Sequence, residues 1–217
     1  MQHILEGDPT APTRGPHVYG LFYRDKGEID RAIEDFTRAI RLQSGYAMAY
    51  SNRGAAYHDK GEVDRALKDY NTAIALQPDF APVYHNRGMA YCDKGEIDRA
   101  IEDYNRAIEL RPELGRIRNK RGVAYYKKGE IDRAIEDYNK AIELRPDLAE
   151  AYTNRGVAWL RLKEWEKAKS DLTDAENMGA DIVATFQNGY DSVLGFNGQY
   201  GVQLPDDIAA MLTPPQA

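Results

Sequence analysis

Three sets of residues in this sequence have types and spacings that could do chemistry. Arg116, Lys120 and Lys127 follow one another at intervals of four and seven residues, which on a helix brings all three charges to one strip. Tyr126 adds an aromatic surface beside the strip, Arg161 extends it and Asn86 borders it. Guanidinium and ammonium groups crowded in this way suit charge-assisted hydrogen bonds to an acidic peptide segment or a chain-terminal carboxylate; alternatively, Glu150 and other acids neutralise them. Asn52, Asn86 and Asn154 recur at multiples of 34 residues. A carboxamide donates and accepts, so this interrupted ladder can bond an extended peptide backbone whatever its sequence, or each Asn can bond a neighbouring element instead. His58, His85 and Cys92 invite a metal hypothesis, but His85 and Cys92 are two helical turns apart and a third close ligand is missing, whereas first-row metal sites need three or four. The chain contains no nucleophile elbow, phosphate-binding loop or HExxH sequence, so neither an enzyme nor a cofactor is expected.

Composition narrows the partners. The 217 residues carry a net charge of −6 with a pI near 5.3, which gives no global positive field to draw the chain onto nucleic acid or anionic lipid. Cys92 is the single cysteine, so an intrachain disulfide framework is excluded. Residues 1–13 lack a basic start and an apolar run, and no stretch of 18 apolar residues occurs. A cytoplasmic location away from membranes is the expectation.

The elements that position these residues come from a repeat. Ala90 to Leu114 and Ala124 to Leu148, 34 positions apart, agree at 21 of 25 positions. The same register sets Gly at 20, 54, 88, 122 and 156, with Tyr23, Tyr57, Tyr91, Tyr125 and Trp159 three residues later. Ala32, Ala66, Ala100, Ala134 and Ala168 follow, then Phe36, Tyr70, Tyr104 and Tyr138, and Pro78, Pro112 and Pro146 close three units. Tyr84, Gly88 and Tyr91 make one helical stripe, and Ile97, Ala100, Ile101, Tyr104, Ala107 and Ile108 make a second. Each unit therefore reads as a helical hairpin: Gly61, Gly95 and Gly129 end a first helix in the left-handed conformation, and the prolines stop the second. A hairpin of this kind cannot bury its apolar faces alone, so neighbours must stack.

These residues carry the signature of the tetratricopeptide repeat (TPR), and the chain resembles that family over residues 13–182. Five units are expected, at 13–46, 47–80, 81–114, 115–148 and 149–182. The fold this implies is all-α, a right-handed α-solenoid. In the family the first helices line a concave groove, which places Asn52, Asn86, Asn154, Arg116, Lys120, Tyr126, Lys127 and Arg161 on a peptide-binding face. Members that hold a chaperone's terminal carboxylate use two Lys or Arg on one first helix, an Asn on the preceding one, and a Lys with a second Asn before that. Arg116, Lys120 and Asn86 fit half of this clamp. Ser51 and Ala55 stand where the other half would be, so a co-chaperone role is weakly supported.

Both ends depart from the pattern. Residues 1–12 are expected to be flexible. Pro16 replaces the aromatics at Tyr50, Tyr84 and Tyr152, which predicts a short first helix. In the fifth unit Lys163 replaces the turn glycine and the closing proline is missing. Residues 183–217 leave the repeat; Phe186, Tyr190, Val193, Leu194 and Phe196 are apolar enough to pack on the last hairpin, and Leu204–Pro205 ahead of Asp206 and Asp207 begins a helix. This tail reads as capping helices, with a groove-occupying arm as the alternative. The third and fourth units share nearly identical second helices while their first helices differ, so packing is common and specialisation is local. The function expected is a protein-interaction scaffold that holds a peptide or protein segment; a self-associating assembly unit is the rival, and the oligomeric state stays open.

Overall fold

The computed structural model describes residues 14–214; the flexible segment expected at residues 1–12 lies outside them. Every regular element among the described residues is a helix, and none of these is long and apolar enough to cross a membrane. The chain divides into two compact units, residues 1–111 and 112–217.

Unit 1 contains three hairpins, α1 (Arg14–Asp25) with α2 (Ile29–Leu42), α3 (Ala47–Asp59) with α4 (Val63–Leu76), and α5 (Ala81–Asp93) with α6 (Ile97–Leu110). Unit 2 contains two, α7 (Gly115–Lys128) with α8 (Ile131–Leu144) and α9 (Ala149–Arg161) with α10 (Trp165–Asn177), followed by α11 (Ile182–Tyr190), α12 (Val193–Tyr200) and α13 (Asp206–Met211). This is the hairpin architecture of the α-solenoid class with helices added at its C-terminal side. Over the described residues α1 runs 12 residues against 13 in α3. Pro16 falls in its first turn, where the missing N–H would have had no helical partner.

The repeat works by close approach. A Cβ on Gly54, Gly88 or Gly122 would lie 2.6–2.7 Å from the ring of Tyr70, Tyr104 or Tyr138, so each first helix lays its glycine against the second helix's aromatic ring. All three rings are buried, as are the alanines at 32, 66, 100, 134 and 168. The turn glycines take positive φ, 81° at Gly61 and 87° at Gly129. In the fifth hairpin Lys163 adopts φ 62° at that place, a conformation that costs a side-chain-bearing residue about 1–2 kcal/mol.

A second device recurs through both units. Arg53, Arg87, Arg121 and Arg155 on the first helices each form two hydrogen bonds with an aspartate of the following helix, at Asp69, Asp103, Asp137 and Asp171, all 2.6–2.8 Å long. All four aspartates are buried. Three of the guanidinium groups reach further, to the preceding hairpin: Arg53 to Thr37 Oγ1, Arg87 to Asn71 Oδ1 and Arg155 to Asn139 Oδ1. One planar fork thus fastens a hairpin internally and to its neighbour.

The described part of the tail packs on the last hairpin of unit 2. Phe186, Phe196, Val202, Leu204, Ile208 and Leu212 join Leu160, Leu172 and Ala175 in one buried cluster, and Lys169 bonds Asp207 at 2.5 Å. Leu194 is the exception to the expected packing, at 81% exposure. It sits two residues from buried Phe196 in a single helix, about 200° around the axis, and therefore faces away from the cluster.

Candidate functional site

The sequence-predicted residues separate into two groups. Asn52 on α3 bonds the buried His17 of α1 across 2.7 Å, and Asn154 on α9 donates to Asn119 Oδ1 on α7 at 3.0 Å. In both cases the carboxamide joins the first helices of adjacent hairpins. Asn86 is half-buried on α5. Lys120 bonds Glu150 of the next hairpin at 2.7 Å, so the strip imagined along α7 is interrupted at its middle, while Arg116 is exposed. Of the metal-type residues, His58 Nε2 lies 2.6 Å from an Asp93 carboxylate oxygen and Cys92 Sγ lies 3.8 Å from Tyr104 Oη.

The remaining site residues, Tyr126, Lys127, Arg161 and again Asn154, meet around a cavity of about 520 Å³ in unit 2. The helices α7 and α9 supply one side, with Val123 and Val157 as apolar lining beside the edge of Tyr138. The tail supplies the other, through Thr185 and Tyr190 of α11 and Gln199 and Tyr200 of α12. Position along the helices explains the arrangement: Tyr126 and Lys127 fall in the last turn of α7, and Arg161 is the last residue of α9. Cations at helix C-termini are favoured by the backbone dipole and need no acidic partner to be stable there.

Hydroxyls and rings tie the two sides together. Tyr190 donates its hydroxyl hydrogen to Tyr126 Oη at 2.5 Å, and Gln199 donates to Tyr200 Oη at 3.1 Å. The Arg161 guanidinium lies 4.6 Å from the centroid of Tyr200 and 5.5 Å from that of Tyr126, within the range of a cation–π contact. Burial pushes the phenols of Tyr126 and Tyr190 well above the usual tyrosine range, so both are hydrogen-bond donors at neutral pH. Among the described residues, none that lines the cavity is an aspartate or glutamate. Lys128 at its edge is held by Glu130 at 2.9 Å.

Tyr190 and Tyr200 were not legible as site residues, since they lie beyond the repeat. The Arg–Asp forks could have been found, because both partners recur in phase in four units, 16 residues apart.

A family model described as the TPR repeat matches residues 20–61, 56–91, 88–129 and 122–163. Among solved structures, MamA is 27% identical with a TM-score of 0.67, over 74% of this chain and 94% of that one. PilF of Pseudomonas aeruginosa reaches a TM-score of 0.76 at 18% identity, over 93% and 88% of the two chains. YrrB, described as a TPR protein with an unusual peptide-binding site, has a TM-score of 0.61 at 21% identity, over 85% and 90%. At these identities PilF and YrrB share the fold alone. A search of curated proteins finds no match.

Proposed function

The chain belongs to the tetratricopeptide-repeat family, and from that premise we propose that it is a non-catalytic scaffold holding a peptide or protein segment on the first helices of unit 2. The observation that carries this reading is the cavity at Tyr126, Lys127, Asn154 and Arg161, with apolar lining from Val123 and Val157. Apolar surface with a few convergent polar groups is the usual character of a recognition pocket. Arg116, exposed near the start of α7, extends the cationic character along the same helix. YrrB's printed description as a peptide-binding TPR protein is consistent with this use of the fold. The five repeat boundaries given above and a cytoplasmic location are part of the same reading.

The test is photo-crosslinking. A benzophenone amino acid at Val123 captures peptides from a proteolytic digest of the source cell, whereas one at Glu136, exposed on the second helix α8, captures few. Equal yields at the two positions would contradict the proposal.

A specific feature favours a second reading, self-association through the first hairpin. Phe22 stands where the later hairpins have Ala56, Ala90, Ala124 and Ala158, all fully buried, yet Phe22 and Tyr19 are 42% and 54% exposed among the described residues. Tyr19 also replaces the fork arginine of later units. Light scattering over a concentration series decides: a constant monomer mass removes this reading, and a dimer lost on Tyr19→Ser with Phe22→Ser supports it.

A further inference from the structure

One repeat position changes sign along the chain. Residues 25, 59 and 93 are aspartates, and residues 127 and 161, in the same register, are Lys127 and Arg161. In unit 1 the protein answers this charge itself: Asp59 takes a hydrogen bond from Arg24 Nε at 2.7 Å, and Asp93 lies 2.6 Å from His58. Each partner comes from the residue one place earlier in the preceding hairpin. In unit 2 that preceding residue for Arg161 is Tyr126, which offers a ring face at 5.5 Å and no charge. Glu150 is engaged by Lys120 and Glu130 by Arg133 and Lys128, and among the described residues no carboxylate lines the cavity. Unit 2 thus leaves Arg161 facing the rings of Tyr126 and Tyr200 and Lys127 lining the cavity, in a chain whose net charge is −6.

We infer that this cavity takes the anionic side chain of a bound peptide, a carboxylate or a phosphate monoester. The inference rests on the scaffold reading and names the chemistry of its ligand. Arg161 supplies a planar fork of donors suited to either anion. Lys127 adds a second positive charge at the rim. Tyr126 accepts from Tyr190 and is also hydrogen-bonded to Tyr200, so the phenols fix the aromatic wall beside Arg161. Asn154 lies where a carboxamide can meet the peptide backbone, and the valines accept the aliphatic stem of the side chain. Tyr190 and Tyr200, supplied by the tail, hold the donors in place, so the tail is a wall of the site as well as a cap.

The experiment uses the full chain on an array of degenerate peptides with one fixed central residue, glutamate, phosphoserine, glutamine, serine or lysine. The expected result is at least fivefold greater retention on the glutamate or phosphoserine set than on the glutamine or serine set, with whichever anion leads identifying the source. Arg161→Gln with Lys127→Gln removes that preference, Arg161→Lys keeps part of it, and Asp59→Asn in unit 1 leaves it intact, all at unchanged melting temperature. Should Arg161→Gln lower the melting temperature, the Arg161→Lys and Lys127→Gln single variants give the same comparison. Retention of peptides without regard to the central charge would overturn the inference and leave the scaffold reading standing. Retention of none of the sets would overturn both.

Discussion

At the C-terminal end of the first helices, unit 1 carries Asp59 and Asp93, each beside the cationic or imidazole side chain one hairpin earlier, whereas unit 2 carries Lys127 at a cavity and Arg161 over the rings of Tyr126 and Tyr200. A helix C-terminus repels an aspartate and attracts a cation. The aspartates of unit 1 therefore need their partners, and those bonds serve the fold. The cations of unit 2 are stable where they stand, so their hydrogen-bonding capacity remains for something else. In the proposed reading, closely similar hairpins are structural in one unit and receptive in the other through a change at one repeat position. The buried machinery, by contrast, is alike in both units: the same arginine fork and the same small residue pressed on a bulky one.

The comparison breaks if the shared machinery proves unequal. Asp103→Ala in unit 1 and Asp171→Ala in unit 2 each strand a partly buried guanidinium, and each is expected to lower the unfolding free energy by about 3–5 kcal/mol. Chemical denaturation measures this; a loss below about 1 kcal/mol in one unit alone would show that the fork does different work there. Packing gives a finer contrast. Alanine at Gly88 would put its Cβ 2.7 Å from the rigid Tyr104 ring, but at Gly156 the nearest atom is Leu172 Cγ at 3.0 Å. Overpacking costs typically about 1–3 kcal/mol, so Gly88→Ala is expected in that range and Gly156→Ala below it, by the same assay.

Two smaller effects sharpen the contrast. Lys163→Gly in unit 2 restores the turn residue that the other hairpins have, and it should raise stability by about 1 kcal/mol, read as a higher denaturation midpoint. In unit 1, burial holds the pKa of His17 below the ordinary value of 6.5. The unfolded chain then binds this proton more readily than the folded one, so stability present above pH 6.5 is lost as pH falls toward the folded pKa. Asn119 occupies the same register in α7 and does not titrate. Hydrogen exchange should show α1 protection falling from pH 7 to pH 5 after correction for intrinsic rates, and His17→Asn should remove that dependence on His17.

Much of the fold was legible because the repeat states its packing rule several times. Gly54, Gly88 and Gly122 and the tyrosines 16 residues later could be paired from register alone, and Gly61 and Gly129 announced their turns. The site was legible only in part. For Lys120 the sequence left two uses open, a partner's anion or Glu150, and Glu150, 30 residues away, reaches it. Asn52 and Asn154 could serve a peptide or a neighbouring element, and they bond His17 and Asn119, since a carboxamide on one first helix can reach the next. Leu194 was grouped with its apolar neighbours, but an eight-residue helix can bury only one face. The tail walls, Tyr190 and Tyr200, lie where the period has ended, and there the sequence offers no register from which to place a side chain.

The central claim is that the charge at one repeat position makes unit 2 receptive. It is tested most directly by giving unit 2 the residues of unit 1, Lys127→Asp with Arg161→Asp, and measuring by calorimetry the affinity for the acidic or phosphorylated peptide that the wild-type chain retains best. The account predicts a loss of at least tenfold, measured well below the melting temperature, which the two unpartnered aspartates at helix C-termini lower, and a reduced dependence of affinity on salt. An affinity and a salt dependence equal to those of the wild type would contradict it.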